Sequence, residues 1–304
     1  MYKVTVPGSL MLAGEHSILR GGSSIVAAID KFITLEFIPL ETNKIQLNTL
    51  GELFEFDLDN LIDNEKLKFI NEIILFYKVK FKTGFKLNII SQINTTVGFG
   101  SSAAVTAGFV AILETYFYEL NLEKIHKISL EITRKIQEKA SGSDLAASIY
   151  GGILDYTPNP FVINRLPLIE NLNVFYVGYK MKTPEVIKLV DKLESQSPEL
   201  YNKIFNLIQD SVKEFKEAIE NNNYTKLYSI INISQGLMDT LGVVNKDIAN
   251  LLYEIRIEEN NFCSKITGSG LGDCVYTISK TKNSKHSKYI DVDFSSKGLE
   301  IEKN

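Results

Sequence analysis

The chain has 304 residues, 44% hydrophobic and 23% charged, with a net charge of −4. That length supports one large core or two moderate ones, and the acidic balance argues against nucleic acid as a partner. No apolar run is long enough to span a bilayer and no signal-peptide pattern precedes the first strand, so no membrane partner and a cytoplasmic location are expected.

Strand-like runs rich in β-branched and aromatic residues lead the chain at 2–6, 32–38, 44–48, 53–57 and 85–93, with a helix pattern at 64–76 between them. Two helices follow at 102–120 and 122–138, the second with Asn121 as its N-cap, and residues 149–156 read as a return strand. Pro158 and Pro160 then interrupt regular structure. Beyond them come a strand at 173–179, helices starting at Pro184, Pro198, Tyr224 and Asn245, and strands at 263–267, 274–278 and 288–293. Strands on both sides of a helical block, without regular alternation, predict an α+β chain. Cys263 and Cys274 read as reduced, mostly buried thiols, and with three histidines they offer no zinc-like spacing. The four lysines of 280–288 read as a solvated loop.

The segment Asn94-Thr-Thr-Val-Gly-Phe-Gly-Ser-Ser-Ala-Ala104 joins a strand to a helix. Gly98 and Gly100 allow backbone angles and close approach that a side chain blocks. Ser101 and Ser102 open the helix, where free N–H groups and the positive dipole end suit a phosphate. It is neither a Walker loop nor a complete dinucleotide fingerprint. An ordinary strand-to-helix connection is the competing explanation. Downstream, Ala140-Ser-Gly-Ser-Asp144 sets a carboxylate after a turn, where it serves either as a local cap or as a group that deprotonates an alcohol.

Taken with Pro7-Gly-Ser-Leu-Met-Leu-Ala-Gly-Glu-His-Ser17 near the start and Lys265-Ile-Thr-Gly-Ser-Gly-Leu-Gly-Asp-Cys274 near the end, these segments resemble, in order and spacing, the GHMP kinases. The resemblance covers nearly the whole chain. It implies the GHMP kinase fold: a domain like ribosomal protein S5 domain 2 over 1–158 and a ferredoxin-like domain over 159–304. It also implies ATP as co-substrate, bound by Val97, Gly98, Phe99, Gly100, Ser101, Ser102 and Ala103, with Mg2+ on Ser102 and on Glu138, and Asp144 as catalytic residue. Substrate contacts are implied at Glu15, His16, Ser141, Gly142, Thr183, Gly268 and Ser269. The family's metal-binding glutamate falls on Thr133 here, with Glu131 and Glu138 nearby.

Within the family, Gly14-Glu15-His16 and the stretch from Gly236 to Gly242 are similar to mevalonate kinases, which implies a small hydroxy acid, mevalonate, as acceptor and a place in isoprenoid biosynthesis. The segments around Asp144 and Gly270-Leu-Gly-Asp-Cys274 look closer to phosphomevalonate kinases, the alternative. A homodimer is admitted as an assembly. One departure stands out: Ser9 occupies the position where mevalonate and phosphomevalonate kinases usually carry a lysine. Lys180, Lys182 and Lys265 are the substitutes that the resemblance suggests, and a ligand-binding regulatory protein on the same fold is the reading from another class.

Overall fold

In β1 (Tyr2–Ala13) and β2 (Ser24–Pro39), Tyr2, Val4 and Val6 and then Ile33, Leu35 and Phe37 point inward while their neighbours face outward, as a strand with one covered face requires. The two form a long antiparallel pair in a computed structural model that describes residues 1–94, 96–169, 171–258, 261–282 and 285–303. They are joined by β3 (Lys44–Thr49), β4 (Glu52–Asp57) and β5 (Phe85–Ser91) in the order β1-β2-β5-β3-β4, with β3 and β5 parallel.

Helices α1 (Lys68–Tyr77), α2 (Ser101–Phe117) and α3 (Leu122–Gln137) pack as a layer with this sheet. Small residues let α2 approach closely: a Cβ at Gly108 would lie 2.8 Å from Leu35 Cδ1 and 3.0 Å from Val6 Cγ2. Ile125, Ile128 and Ile132 line one buried face of α3, and the Asn121 side chain accepts from the Lys124 N–H at 2.9 Å, the expected N-cap.

Residues 149–156 are not one strand. A short helix, α4 (Ser143–Tyr150), runs to Tyr150; Gly151 and Gly152, both at positive φ, break it; and β6 (Ile153–Pro158) follows, paired with β2. β7 (Phe161–Leu166) pairs with β6, and the late strand β12 (Glu300–Lys303) returns to pair with β1. The first sheet's pairing therefore extends past the boundary expected at 158/159.

The second sheet holds β8 (Leu172–Tyr176), β9 (Lys265–Thr267), β10 (Cys274–Ile278) and β11 (Tyr289–Ile290), all antiparallel, in the order β11-β8-β10-β9. Counted within the sheet this is 4-1-3-2, the ferredoxin-like order, although all four helices fall between its first two strands. These are α5 (Thr183–Gln196), α6 (Pro198–Glu220), α7 (Tyr224–Thr240) and α8 (Lys246–Arg256). Phe175, Ile266 and Val275 meet Val186, Phe205 and Ile248 in a core of their own. Cys263 and Cys274 are free and buried, as expected. No described helix is long and apolar enough to cross a membrane.

Candidate active site

The turn after β5 reaches its helix through Gly98 at φ +75° and Gly100 at φ +64°, the left-handed region that glycine enters at little cost. Gly100 is the N-cap of α2, so the N–H groups of Ser101, Ser102 and Ala103 have no partner inside the helix. The turn is docked on β1: the Ser9 N–H donates to the Phe99 carbonyl at 3.2 Å, and a Cβ at Gly100 would run into the Ser9 hydroxyl. That hydroxyl donates to Asp144 Oδ1 at 2.8 Å. One small side chain thus ties the glycine turn to the carboxylate, with Gly100 packed where a longer side chain would begin.

Asp144 lies in the first turn of α4, where the helix dipole favours a carboxylate. The preceding turn is fixed by its neighbours. Tyr156 donates to the Ser141 carbonyl at 3.0 Å, Ser143 and Ser24 share a 3.0 Å hydroxyl contact, and His126 Nε2 meets the Gly142 carbonyl at 3.1 Å. The Asp144 carboxylate opens onto a cavity of about 910 Å³ yet is otherwise encircled by protein, and this desolvation raises its pKa against the lowering effects of the Ser9 hydrogen bond and Lys180.

The segment from Gly14 to Ser23 forms a second wall. Arg20 pins it to α5 through Asp191 and Glu194, and Gln209 of α6 accepts from the Ser23 N–H at 2.7 Å. Glu15 is fully buried in an ion pair with Lys265, a residue itself 0% exposed. Burial pushes the Glu15 carboxyl up and the Lys265 ammonium down, while their mutual attraction opposes both shifts. Lys265 also donates to its neighbour's carbonyl at 3.0 Å, so this cation is committed inside the protein. His16 sits at φ +60°, with Nε2 2.9 Å from the Ser269 carbonyl. A carbonyl only accepts, so Nε2 carries the proton and Nδ1 is left as an acceptor without a protein partner. Burial lowers its pKa to about 4, so His16 is neutral at pH 7.

Glu15, His16, Gly98, Gly100, Ser101, Ser102, Ala103, Ser141, Gly142, Asp144, Thr183, Gly268 and Ser269 all line this one cavity. Of the residues expected to bind nucleotide, substrate or metal, three do not. Val97 and Phe99 are buried behind the turn, and the Val97 N–H is used within it, donating to Asn94 at 3.3 Å. Glu138 caps the end of α3 with an exposed side chain paired to Lys188 at 3.4 Å; Thr133, one turn earlier, faces the cavity in its stead. Lys182 is exposed at the start of α5 and lies outside the lining.

Two features escaped the sequence reading. Ile33, Phe69, Ile70, Ile89 and Ile90 form an apolar part of the lining that also holds the glycine turn; the adjacent pair Ile89-Ile90, which breaks strand alternation, was the available signal. Asp273, in the last glycine turn, also lines the cavity. It is buried, Oδ1 has no hydrogen-bond partner, and its Cγ would be 2.7 Å from a Cβ at Gly98. Burial lifts its pKa to about 6, Lys180 opposes the rise, and the charge of Asp144 adds to it. Glu15, His16, Ser269 and Asp273, each with a buried polar atom that has no protein partner, thus line one cavity together with the glycine turn and Asp144. Such a space suits a polyanion next to a small polar molecule with an ionisable proton.

Comparison with known proteins agrees. Residues 68–152 match the GHMP kinases N terminal domain and residues 215–288 the GHMP kinases C terminal domain. The mevalonate kinase of Thermococcus sibiricus is 31% identical over 302 residues, covering 92% of this chain and 90% of that one. Among solved structures, a Listeria innocua protein superposes with a TM-score of 0.86 at 22% identity, covering 100% of this chain and 99% of that one. The Methanococcus jannaschii mevalonate kinase superposes with a TM-score of 0.78 at 25% identity, covering 96% and 98%.

Proposed function

The chain belongs to the GHMP kinases and is a phosphotransferase, and from that premise we propose that it moves the γ-phosphoryl group of ATP to the hydroxyl of mevalonate. The observation that carries this reading is the Asp144 carboxylate, which opens onto the same cavity as the helix-start N–H groups and is tied to the glycine turn by Ser9. The base of the nucleotide occupies the apolar limb around Phe69, Ile70 and Ile90, and its phosphates lie along Gly98 to Ala103.

The acceptor oxygen attacks the γ-phosphorus, the bond from that phosphorus to the β,γ-bridging oxygen breaks, and ADP leaves. The hydroxyl proton passes to Asp144, whose raised pKa makes it a better base than an ordinary carboxylate. Neutral His16 offers Nδ1 to a substrate hydroxyl, which it orients as an acceptor; it does not supply positive charge for the substrate carboxylate. Thr183 and the Gly268–Ser269 turn complete the acid's surroundings.

Among the described residues no cluster of three or more His, Cys, Asp or Glu side chains is arranged to hold a metal. A magnesium ion carried mainly by the nucleotide phosphates fits all the same, because the Ser102 hydroxyl and the unpartnered Asp273 oxygen flank the turn. When bound, it neutralises phosphate charge.

An assay of ADP release with mevalonate, phosphomevalonate, galactose and homoserine tests the proposal. Turnover of mevalonate alone, or at least tenfold faster than of the rest, is expected. Preference for phosphomevalonate moves the reaction one phosphate along, and ligand binding without ADP release makes the protein a regulator.

A further inference from the structure

Phosphoryl transfer concentrates negative charge on the moving group, and a protein that performs it places cationic charge close to that group. In this chain neither Ser9 on the first sheet nor Lys265 on the second supplies it: Ser9 is a neutral donor to Asp144, and Lys265 is consumed by Glu15. Three lysines nevertheless line the cavity, and one of them, Lys180, is joined by backbone to the turn that abuts Gly98.

Lys180 leaves the loop between β8 and α5, and that loop is stitched by backbone to the last glycine turn. The Val177 N–H donates to the Asp273 carbonyl at 3.0 Å, and the Asp273 N–H donates to the Tyr179 carbonyl at 2.9 Å. Gly272 packs so tightly beneath the loop that a Cβ would lie 2.9 Å from the Met181 nitrogen and 3.3 Å from the Lys180 carbonyl carbon. The root of the Lys180 side chain is therefore fixed relative to Asp273, and Asp273 in turn abuts Gly98 of the phosphate turn. Lys180 lines the cavity together with Asp144, Asp273, Gly98 and Gly100. It is also the cation whose field reaches both carboxylates.

We propose that Lys180 is the catalytic cation of this kinase, contributing from the second sheet's side of the cavity the positive charge that residue 9 lacks, with Asp273 as the residue that positions it. The inference rests on the proposed phosphoryl transfer. As the γ-phosphorus passes from the β,γ-bridging oxygen to the acceptor oxygen, and the acceptor's proton passes to Asp144, the Lys180 ammonium faces the equatorial phosphate oxygens. It keeps its own proton throughout. The charge binds the moving group more tightly midway than at either end, so its removal shows in turnover.

The test begins with an acceptor that the wild-type protein phosphorylates; if none is found, the functional reading fails and Lys180 is not at issue. With that acceptor, Lys180→Met should lower kcat by about 100-fold, with the KM values for ATP and acceptor changed by less than about fivefold. Lys180→Arg should retain most of the turnover, Lys182→Met should match the wild type, and ethylammonium should partly restore Lys180→Ala. Asp273→Asn should lower kcat less than Lys180→Met and add little to it in the double variant. A loss in Lys180→Met of under about tenfold, or one carried by KM with kcat kept, overturns the proposal. Ethylammonium rescue keeps the question answerable if Lys180→Met is poorly folded, and its absence in a folded Lys180→Ala counts against the ammonium.

Discussion

Two charged clusters, one buried in the wall of the cavity and one lining it, are built to opposite plans. Glu15 and Lys265 are both fully buried and spend their charge on each other, 250 residues apart in sequence. Asp144, Lys180 and Asp273 gather two carboxylates around one lysine and stay open to the cavity, with Asp144 accessible and Asp273 short of a partner. A closed pair holds walls together, because either charge left alone in that site is costly. An open cluster keeps its carboxylates at the cavity, where burial raises their pKa values. The contrast separates what makes the site from what works in it.

Breaking the closed pair should have the largest effect. Lys265→Met strands the Glu15 carboxylate and should cost about 3–5 kcal/mol of folding stability, read from urea midpoints; adding Glu15→Gln should recover most of it. A single variant as stable as the parent would mean the pair does not hold the walls. In the open cluster, Asp144→Asn keeps the shape and the Ser9 contact but loses the base. Turnover should fall by about 100-fold or more, roughly 2.7 kcal/mol of barrier, while nucleotide affinity and stability hold. Activity within a few-fold of wild type would remove Asp144 from its role.

A third test concerns the support beneath the open cluster. His126 is held to a pKa of about 4 by burial, and it contacts the Gly142 carbonyl just before Asp144. A histidine with a lowered folded-state pKa takes up its proton more readily when unfolded. Its stabilising share is therefore complete above the ordinary value near 6.5 and is lost as pH falls toward 4. His16 acts in the same direction, and Asp273, lifted to about 6, acts in the opposite one. His126→Gln should shrink the stability lost between pH 7 and 4.5 by about 2 kcal/mol; an undiminished acid loss would place its source elsewhere. The smallest effect belongs to His16→Leu, which removes the acceptor proposed to meet a substrate hydroxyl. The KM for the acceptor should rise about tenfold, near 1.4 kcal/mol, with that for ATP unchanged; equal rises in both would make His16 structural only.

The glycine turn before α2 was legible in the sequence because its shape is set by the backbone. Gly98 and Gly100 have to be glycine for the turn to bend and approach Ser9, so the requirement is written in residue type. Asn121 was legible for the same reason, as a cap acts on its own helix. Asp273 and the apolar limb were harder to see because their meaning depends on pairing across the chain. Asp273 matters only where β10 carries its turn against Gly98, and Ile90 matters only because no element covers it, leaving it 60% exposed. Glu138 shows the converse: it was offered as a metal ligand though the family's position falls on Thr133, and the end of α3, at φ +63°, turns it outward toward Lys188. Gly151 and Gly152 break α4 from β6 inside the span 149–156 that reads as one strand, because their positive φ ends the helix.

The return of β12 to β1 has a consequence for biosynthesis. Residues 300–303 cover an edge of β1 whose other edge is paired with β2 from early in the chain. A ribosome delivers β1 first and β12 roughly 290 residues later, which at about 5–20 residues per second is a wait of some 15–60 seconds. Throughout that interval β1 presents unpaired backbone donors and acceptors along a strand rich in apolar residues, the kind of edge that recruits foreign strands. That edge of β1 therefore stays open to mispairing until β12 arrives to cover it.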